Sequence, residues 1–349
     1  MSEHDQRGHF SAVQYERTGG PETLQLIDRP LRDPGPGEVR VLVHRSGVNP
    51  TDWKSRQGGP QPEPVTPPQV PNHDGAGIVD AIGTGVDAAL LGARVWTWEA
   101  AYNRPEGTAQ QFAIVPARQV VPLPAHATFD LGASLGVPFI TAHRCLTVTE
   151  AGPRQLGPGT LNGRVVLVSG GAGAVGNAAI QLARWSDATV IATISSPAKA
   201  QLAAAAGADH VINYQQQDVV AEVGRITERG IDTIVEVSAA QNASIDAAML
   251  ARLGSVSIYS NNGGDQFTLP IRPLMSANAR WQFVLLYNAP HEAKARAVHD
   301  ITSAIRDDAL HVGESFGLPL HHFPLTEADK AHAAVQNSIT GKVLIDVAE

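Results

Sequence analysis

A single cysteine, Cys145, stands in a chain of 349 residues. Neither an intrachain disulfide nor a zinc site built from several thiolates can form from it, and so little cysteine fits a reducing cytoplasm. No stretch of about 18 apolar residues runs unbroken, which leaves no candidate membrane span. The N-terminal MSEHDQRGHF lacks the apolar core of a signal peptide. Basic clusters are missing as well. The 26 Lys and Arg face 34 Asp and Glu, and the resulting net charge of -8 repels phosphate backbones, so no nucleic-acid partner is expected. Hydrophobic residues at 43% and charged residues at 17% are ordinary for a globular protein. The length suggests two domains. The expectation is a cytoplasmic protein without a membrane or nucleic-acid partner.

The N-terminal third is rich in β-formers, with candidate strands at 24–27, 39–44, 77–82, 93–97 and 111–115 separated by turn residues such as Pro34-Gly35-Pro36-Gly37. The proline-dense stretch 57–72 can be neither helix nor central strand and is read as a surface loop, over a site or as a plain connector. From about Arg164 the pattern changes. The run VVLVS (165–169) suits a parallel strand buried on both faces. Val175, Ala179, Leu182 and Trp185 then recur at helical spacing. Further strands are expected at 189–194, 211–212, 231–237, 256–259 and 283–286, with helices at 198–206, 216–227 and 243–253. That alternation predicts an α/β doubly wound parallel sheet. A helix (293–306), a loop, a second helix (327–336) and a strand (343–347) close the chain.

Gly171-Ala172-Gly173-Ala174-Val175-Gly176 follows one of these strands and opens the next helix, the frame a dinucleotide-binding loop requires. The first glycine permits the tight turn, the second lets the backbone approach a pyrophosphate, and the third allows close helix–strand packing. The helix N-terminus would hold the anion; the alternative is a glycine-rich turn that binds nothing. Specificity follows from an absence. No acid lies between Asp187 and Asp209, where an NAD site places the carboxylate that holds the ribose hydroxyls. Ser195 and Ser196 can donate to a 2′-phosphate and Lys199 can neutralise it, so NADPH is the expected cofactor unless Lys199 is merely a solvated first-turn lysine.

Several motifs together resemble the medium-chain dehydrogenase/reductases, in particular their zinc-free, zeta-crystallin-like quinone oxidoreductase branch. These are Gly47-Val48-Asn49-Pro50-Thr51-Asp52, His73-Asp74-Gly75-Ala76-Gly77, VVLVSGGAGAVG, GADHVINY (207–214) and Gly341-Lys342-Val343. The resemblance spans about 10–349. It implies a GroES-like β-rich catalytic domain built from both chain ends, a Rossmann NADPH-binding domain inserted between them, and a cleft for nicotinamide and substrate. The expected division is 1–138 (with 1–10 a flexible tail), 139–282, and 283–349 returning to the sheet edge and catalytic domain. Zinc-dependent relatives carry Cys where this chain has Asn49 and Val137, so only His73 and Asp74 of that ligand set remain and no metal site is expected. His73 is then a structural histidine, and Asp74 pairs locally or caps a turn.

The resemblance also assigns candidate roles. Asn49 and Asp52 are the catalytic candidates, Asn49 as a hydrogen-bond donor to a carbonyl or the nicotinamide ribose, or as a turn-forming residue before Pro50. Where many relatives place Tyr two residues beyond that aspartate, this chain has Lys54. Tyr214 would stack on the adenosine moiety or sit at a core edge. Tyr259 and Ser260 follow the fifth strand at the ligand mouth, and Lys342 would lie near the cofactor or be an exposed strand lysine. Cys145 is read as buried and inert, and Trp96 and Trp98 as core or pocket lining. The implied activity is hydride transfer from NADPH to a quinone. An enone or enoyl-thioester reductase on the same fold is the alternative, and an NADPH-binding protein without turnover the remoter one. Residues 281–287 form either the edge strand of a homodimer interface or a strand of the catalytic domain.

Overall fold

The computed structural model describes residues 8–150 and 152–348. The chain divides into two compact units, Met1–Val137 with Leu320–Glu349, and Pro138–Pro319.

The first unit begins with β1 (His9–Arg17), β2 (Gln25–Pro30), β3 (Glu38–Val48), α1 (Pro50–Gln57), β4 (Pro64–Gln69), β5 (Asp74–Ile82), β6 (Arg94–Thr97), β7 (Phe112–Pro116) and β8 (Val120–Pro122). The helix α2 (Phe129–Thr147) carries the chain into the second unit, the boundary falling at Pro138 inside it. Strand β3 is the hub. Its alternate residues Val39, Val41 and Val43 are buried and pack with Val79, Val95, Ala113 and Val115 in one core, the period-2 pattern of a strand with one buried face.

The second unit holds β9 (Val165–Ser169), α3 (Ala174–Trp185), β10 (Thr189–Ile194), α4 (Pro197–Ala205), β11 (His210–Asn213), α5 (Val219–Ile226), β12 (Ile231–Glu236), α6 (Ala239–Met249), β13 (Leu250–Ile258), α7 (Ile271–Ala277), β14 (Arg280–Phe283) and α8 (His291–Arg306). Its six strands pair in parallel in the order β11-β10-β9-β12-β13-β14. Every residue of β9 is buried, as expected for a central strand covered by helices on both faces. The chain then returns to the first unit as β15 (Leu320–Pro324), α9 (Ala328–Gln336) and β16 (Lys342–Asp346). These complete a seven-stranded sheet ordered β15-β16-β3-β5-β6-β8, with β7 also on β3. Among the described residues, no helix is long and apolar enough to cross a membrane.

Several expectations need correction. Residues 1–7 of the expected tail lie outside the described residues, whereas His9 and Phe10 already belong to β1, Phe10 with its side chain buried. The proline-dense loop contains β4, which lies at the edge of the sheet β2-β1-β4; there a proline without an N–H deprives no neighbour of a ladder bond. The helix expected at 216–227 begins at Val219, because the Asp218 side chain caps it by accepting from the Ala221 N–H. The helix expected at 243–253 runs earlier, and Leu250 turns extended to start β13. The strand expected at 283–286 is β14 instead, an edge strand of the second unit, so 281–287 is not a strand of the catalytic domain. Residues 283–319 stay with the second unit. Asn177, Gln181 and Trp185 of α3 hold Phe316, His311 and Asp307 through four hydrogen bonds of 2.8–3.0 Å.

Candidate functional site

The glycine loop of the second unit has the geometry its spacing requires. Gly170 turns the chain out of β9 at φ 72. A Cβ on Gly171 would meet the Ala192 Cβ at 2.8 Å, and one on Gly176 would lie 2.3 Å from the Gly170 carbonyl oxygen, so each is kept small by its neighbours. Gly173 differs. It is the exposed N-cap of α3, and a Cβ there would meet nothing nearer than 3.4 Å. Only an approaching ligand would need that space. The first-turn N–H groups at Ala174, Val175 and Gly176 have no intrahelical acceptor and suit an anion.

The other expected cofactor residues sit along the same carboxyl edge of the sheet, where ligands enter open α/β folds. Beyond β10, Ser196 caps α4, its hydroxyl oxygen accepting from the Lys199 N–H at 3.3 Å. Lys199 Nζ donates to Ser195 Oγ at 3.3 Å, so cation and hydroxyl stand side by side. Tyr214 follows β11 with 48% of its surface exposed, which excludes the core-edge reading. Tyr259 and Ser260 follow β13. The Tyr259 N–H donates to the Glu236 carbonyl at 3.1 Å, and Ser260 Oγ donates to Asn262 Oδ1 at 3.0 Å.

In the first unit, strand pairing assembles a buried polar cluster. Register sets Val343 beside Val48 and Gly47 beside Asp74, so the start of β16, the end of β3 and the start of β5 meet. Lys342 Nζ donates to Asn49 Oδ1 at 2.7 Å, and Asn49 Nδ2 donates to Asp74 Oδ2 at 2.8 Å. That pairing orients the Asn49 amide. Lys342 Nζ lies 3.7 Å from Asp74 Oδ2, and the Val137 N–H donates to both Asp74 oxygens at 2.9 and 3.0 Å. Asn49 also caps α1, its N–H donating to Asp52 Oδ2 at 2.7 Å, while the His73 N–H donates to Asp52 Oδ1 at 3.2 Å. Lys342 is 2% exposed, not the exposed strand lysine that sequence left open.

Electrostatics makes this cluster unusual. Burial, reinforced by the nearby Asp74 charge, pushes Asp52 up to about 8. Burial also raises Asp74, opposed by Lys342, and lowers Lys342, opposed by the two carboxyls. Burial brings His73 down to about 4, so it is neutral. With Asp52 protonated, one carboxylate balances one ammonium.

Sequence reasoning missed two features of these sites. Gly136 is required because its Cβ would lie 2.1 Å from Asp74 Oδ1, a constraint visible only once α2 is placed on β5. A relay from His332 through Asn72, Ser46 and Thr108 to the Asp74 carbonyl, in hydrogen bonds of 2.6–2.9 Å, lies beneath the cluster. It joins residues that no local motif links.

Cys145 is buried, as expected, its thiol pushed up by desolvation. Trp96 and Trp98 are both buried.

Two family models match, "Alcohol dehydrogenase GroES-like domain" over residues 35–125 and "Zinc-binding dehydrogenase" over 174–303. The human quinone oxidoreductase is 31% identical over 264 residues, 75% of each chain. The chain belongs to the quinone oxidoreductases of the medium-chain dehydrogenase/reductase superfamily. Two solved structures place the chain in context. That of the Escherichia coli quinone oxidoreductase complexed with NADPH superposes with TM-score 0.77 at 25% identity, covering 96% of this chain and 99% of the other. A structure described as an NAD-dependent alcohol dehydrogenase superposes with TM-score 0.82 at 27% identity, covering 97% and 100%. Fold alone therefore does not separate the two dinucleotides.

The residues present bear on whether a catalytic zinc fits. Asn49 offers an amide oxygen already held by an ammonium, Val137 offers an aliphatic side chain, and Asp74 is occupied by N–H donors. A catalytic zinc needs three protein ligands and an open position, and this set does not fit one. No group of three metal-ligating side chains occurs among the described residues.

Proposed function

We propose that the chain is an NADPH-dependent oxidoreductase that transfers hydride to a small quinone without catalytic zinc. The observation that carries the cofactor choice is the Ser195–Lys199 pair at the end of β10, in a segment without an acid. Gly173 and the first turn of α3 would receive the pyrophosphate, Ser195, Ser196 and Lys199 the 2′-phosphate, and Tyr214 the adenosine moiety, with Tyr259 and Ser260 flanking the same edge. Bound NADPH supplies the hydride.

The chain's own residues position and protonate. Asn49 Nδ2 has a second N–H beyond the one given to Asp74, and in this reading it donates to the substrate carbonyl oxygen as negative charge develops there. Lys342 serves the site through Asn49 by fixing its amide. Asp52, neutral at physiological pH, holds a proton beside His73. The open edge of β14, with Phe283, Leu285, Ile271 and Met275 exposed nearby, favours pairing with a second copy, since a bare apolar edge is otherwise an aggregation liability.

The test is NADPH oxidation followed by absorbance, with a benzoquinone, a naphthoquinone, an enone and an enoyl thioester as acceptors. NADH and a Lys199→Ala variant run in parallel. The expected result is quinone turnover with NADPH ahead of NADH, and about tenfold loss of that preference in the variant, the scale of one lost charge-assisted contact. Preference for NADH would overturn the cofactor assignment. Turnover restricted to the enone or thioester would move the function to double-bond reduction.

A further inference from the structure

Two buried acids stand where the strand order of the second unit reverses, and nothing proposed above uses their side chains. Strands β10 and β11 lie on one side of β9, while β12, β13 and β14 lie on the other. The reversal falls between the carboxyl ends of β9 and β12, the crevice where ligands enter such sheets. Ser169 ends β9 immediately before the glycine loop, and Glu236 ends β12. Glu236 Oε1 accepts from Ser169 Oγ at 3.3 Å, from Asn242 Nδ2 at 3.1 Å and from the Ser238 N–H. One carboxyl group thus ties the strand leading into the loop to the start of α6.

Asp246, also on α6 and 2% exposed, has its carboxyl against that of the fully buried Glu236, close enough for the two to share a hydrogen bond. Glu236 Oε2 and Asp246 Oδ2 are both buried without a hydrogen-bond donor. Two carboxyl groups bond to each other only when one carries a proton. The Tyr259 phenol, just past β13, also interacts with Glu236 and is itself acted on by Cys145 of α2, and burial keeps both neutral. The groups that act on Asp246 include no cation. Burial, then repulsion from Glu236, pushes Asp246 up to about 9.

We propose that Glu236 and Asp246 are positioning residues for the dinucleotide: one proton shared between them holds the β9–β12 crevice at a single negative charge, and NADPH binds more weakly once that proton leaves. This inference rests on the NADPH reading above. A second buried negative charge opposes the incoming pyrophosphate and also drives the two carboxyls apart, loosening the Ser169–Glu236–Ser238 tie. By reciprocity, bound NADPH strengthens the pair's hold on its proton, and affinity falls about tenfold for each pH unit by which it does so.

The test is NADPH fluorescence titration of the wild type and Asp246→Asn from about pH 7 to about pH 10, a window that brackets the pair's proton loss. Asparagine keeps a donor to Glu236 but cannot ionise. The expected result is a wild-type Kd that rises about tenfold relative to that of D246N across the window; effects common to both proteins cancel in the ratio. Parallel curves would overturn this inference alone. Absence of NADPH binding at neutral pH would instead remove the NADPH reading and this inference with it. A second readout is the infrared carbonyl band of a protonated carboxylic acid present in the wild type and missing from D246N, a difference that removes the Asp52 band common to both. It should fade near the alkaline end of the window and persist to higher pH with NADPH bound. A band absent at neutral pH, or indifferent to NADPH, would overturn the proposal.

Discussion

Asp52 is held as a neutral acid first by burial and then by Asp74, and this links proton binding to stability. The folded state keeps a proton that the unfolded chain releases above about pH 4. Stability is therefore greatest below that value, declines as pH rises towards about 8, where folded Asp52 ionises, and levels off beyond. We expect Asp52→Asn to remove that decline. Denaturant unfolding between about pH 6 and about pH 8 should show the wild type losing up to about 1.4 kcal/mol per pH unit relative to D52N. Parallel stabilities would contradict the placement of the proton on Asp52. At this scale the sequence named Asn49, Asp52, His73, Asp74 and Lys342 but not the bonds between them. Lys342 reaches Asn49 across 293 positions, and only the β16–β3–β5 register makes them neighbours. Glu236 and Asp246 went unnoticed because a buried acid leaves no local signature in sequence.

Among the elements, β9, α3 and β10 were legible because continuous apolar runs, helical spacing and a glycine loop agree on one structure. Strand β4 was hidden by prolines that only an edge position tolerates. The α6–β13 junction was misplaced because alanine-rich sequence does not mark where helix gives way to strand. The glycine loop offers a test that separates packing from binding. Gly176→Ala drives a Cβ into the Gly170 carbonyl and should destabilise the unit, whereas Gly173→Ala meets only the Gly170 carbonyl oxygen at 3.4 Å, an ordinary contact. We expect G173A to unfold like the wild type yet bind NADPH at least about tenfold more weakly, since a methyl group at the N-cap obstructs the anion's approach. Unaltered affinity in G173A would mean that the pyrophosphate does not sit there.

For the whole molecule, motifs spread from Gly47 to Val343 carried the family assignment, but the unit boundary at 319/320 was not legible. It depends on α3 side chains reaching the backbone at 311 and 316. The exposed edge of β14 bears on assembly. With Phe283 65% exposed, we expect light scattering to give a dimer mass and Phe283→Arg to shift it to the monomer, because a charge on an apolar edge opposes pairing. A monomeric wild type would contradict that reading. The central claim is hydride transfer to a quinone by a protein whose remaining His73 and Asp74 cannot hold a catalytic zinc. The most direct measurement is NADPH-dependent quinone turnover after exhaustive dialysis against a metal chelator. The account predicts an unchanged rate that added zinc does not raise; activity lost on chelation and restored by zinc would contradict it.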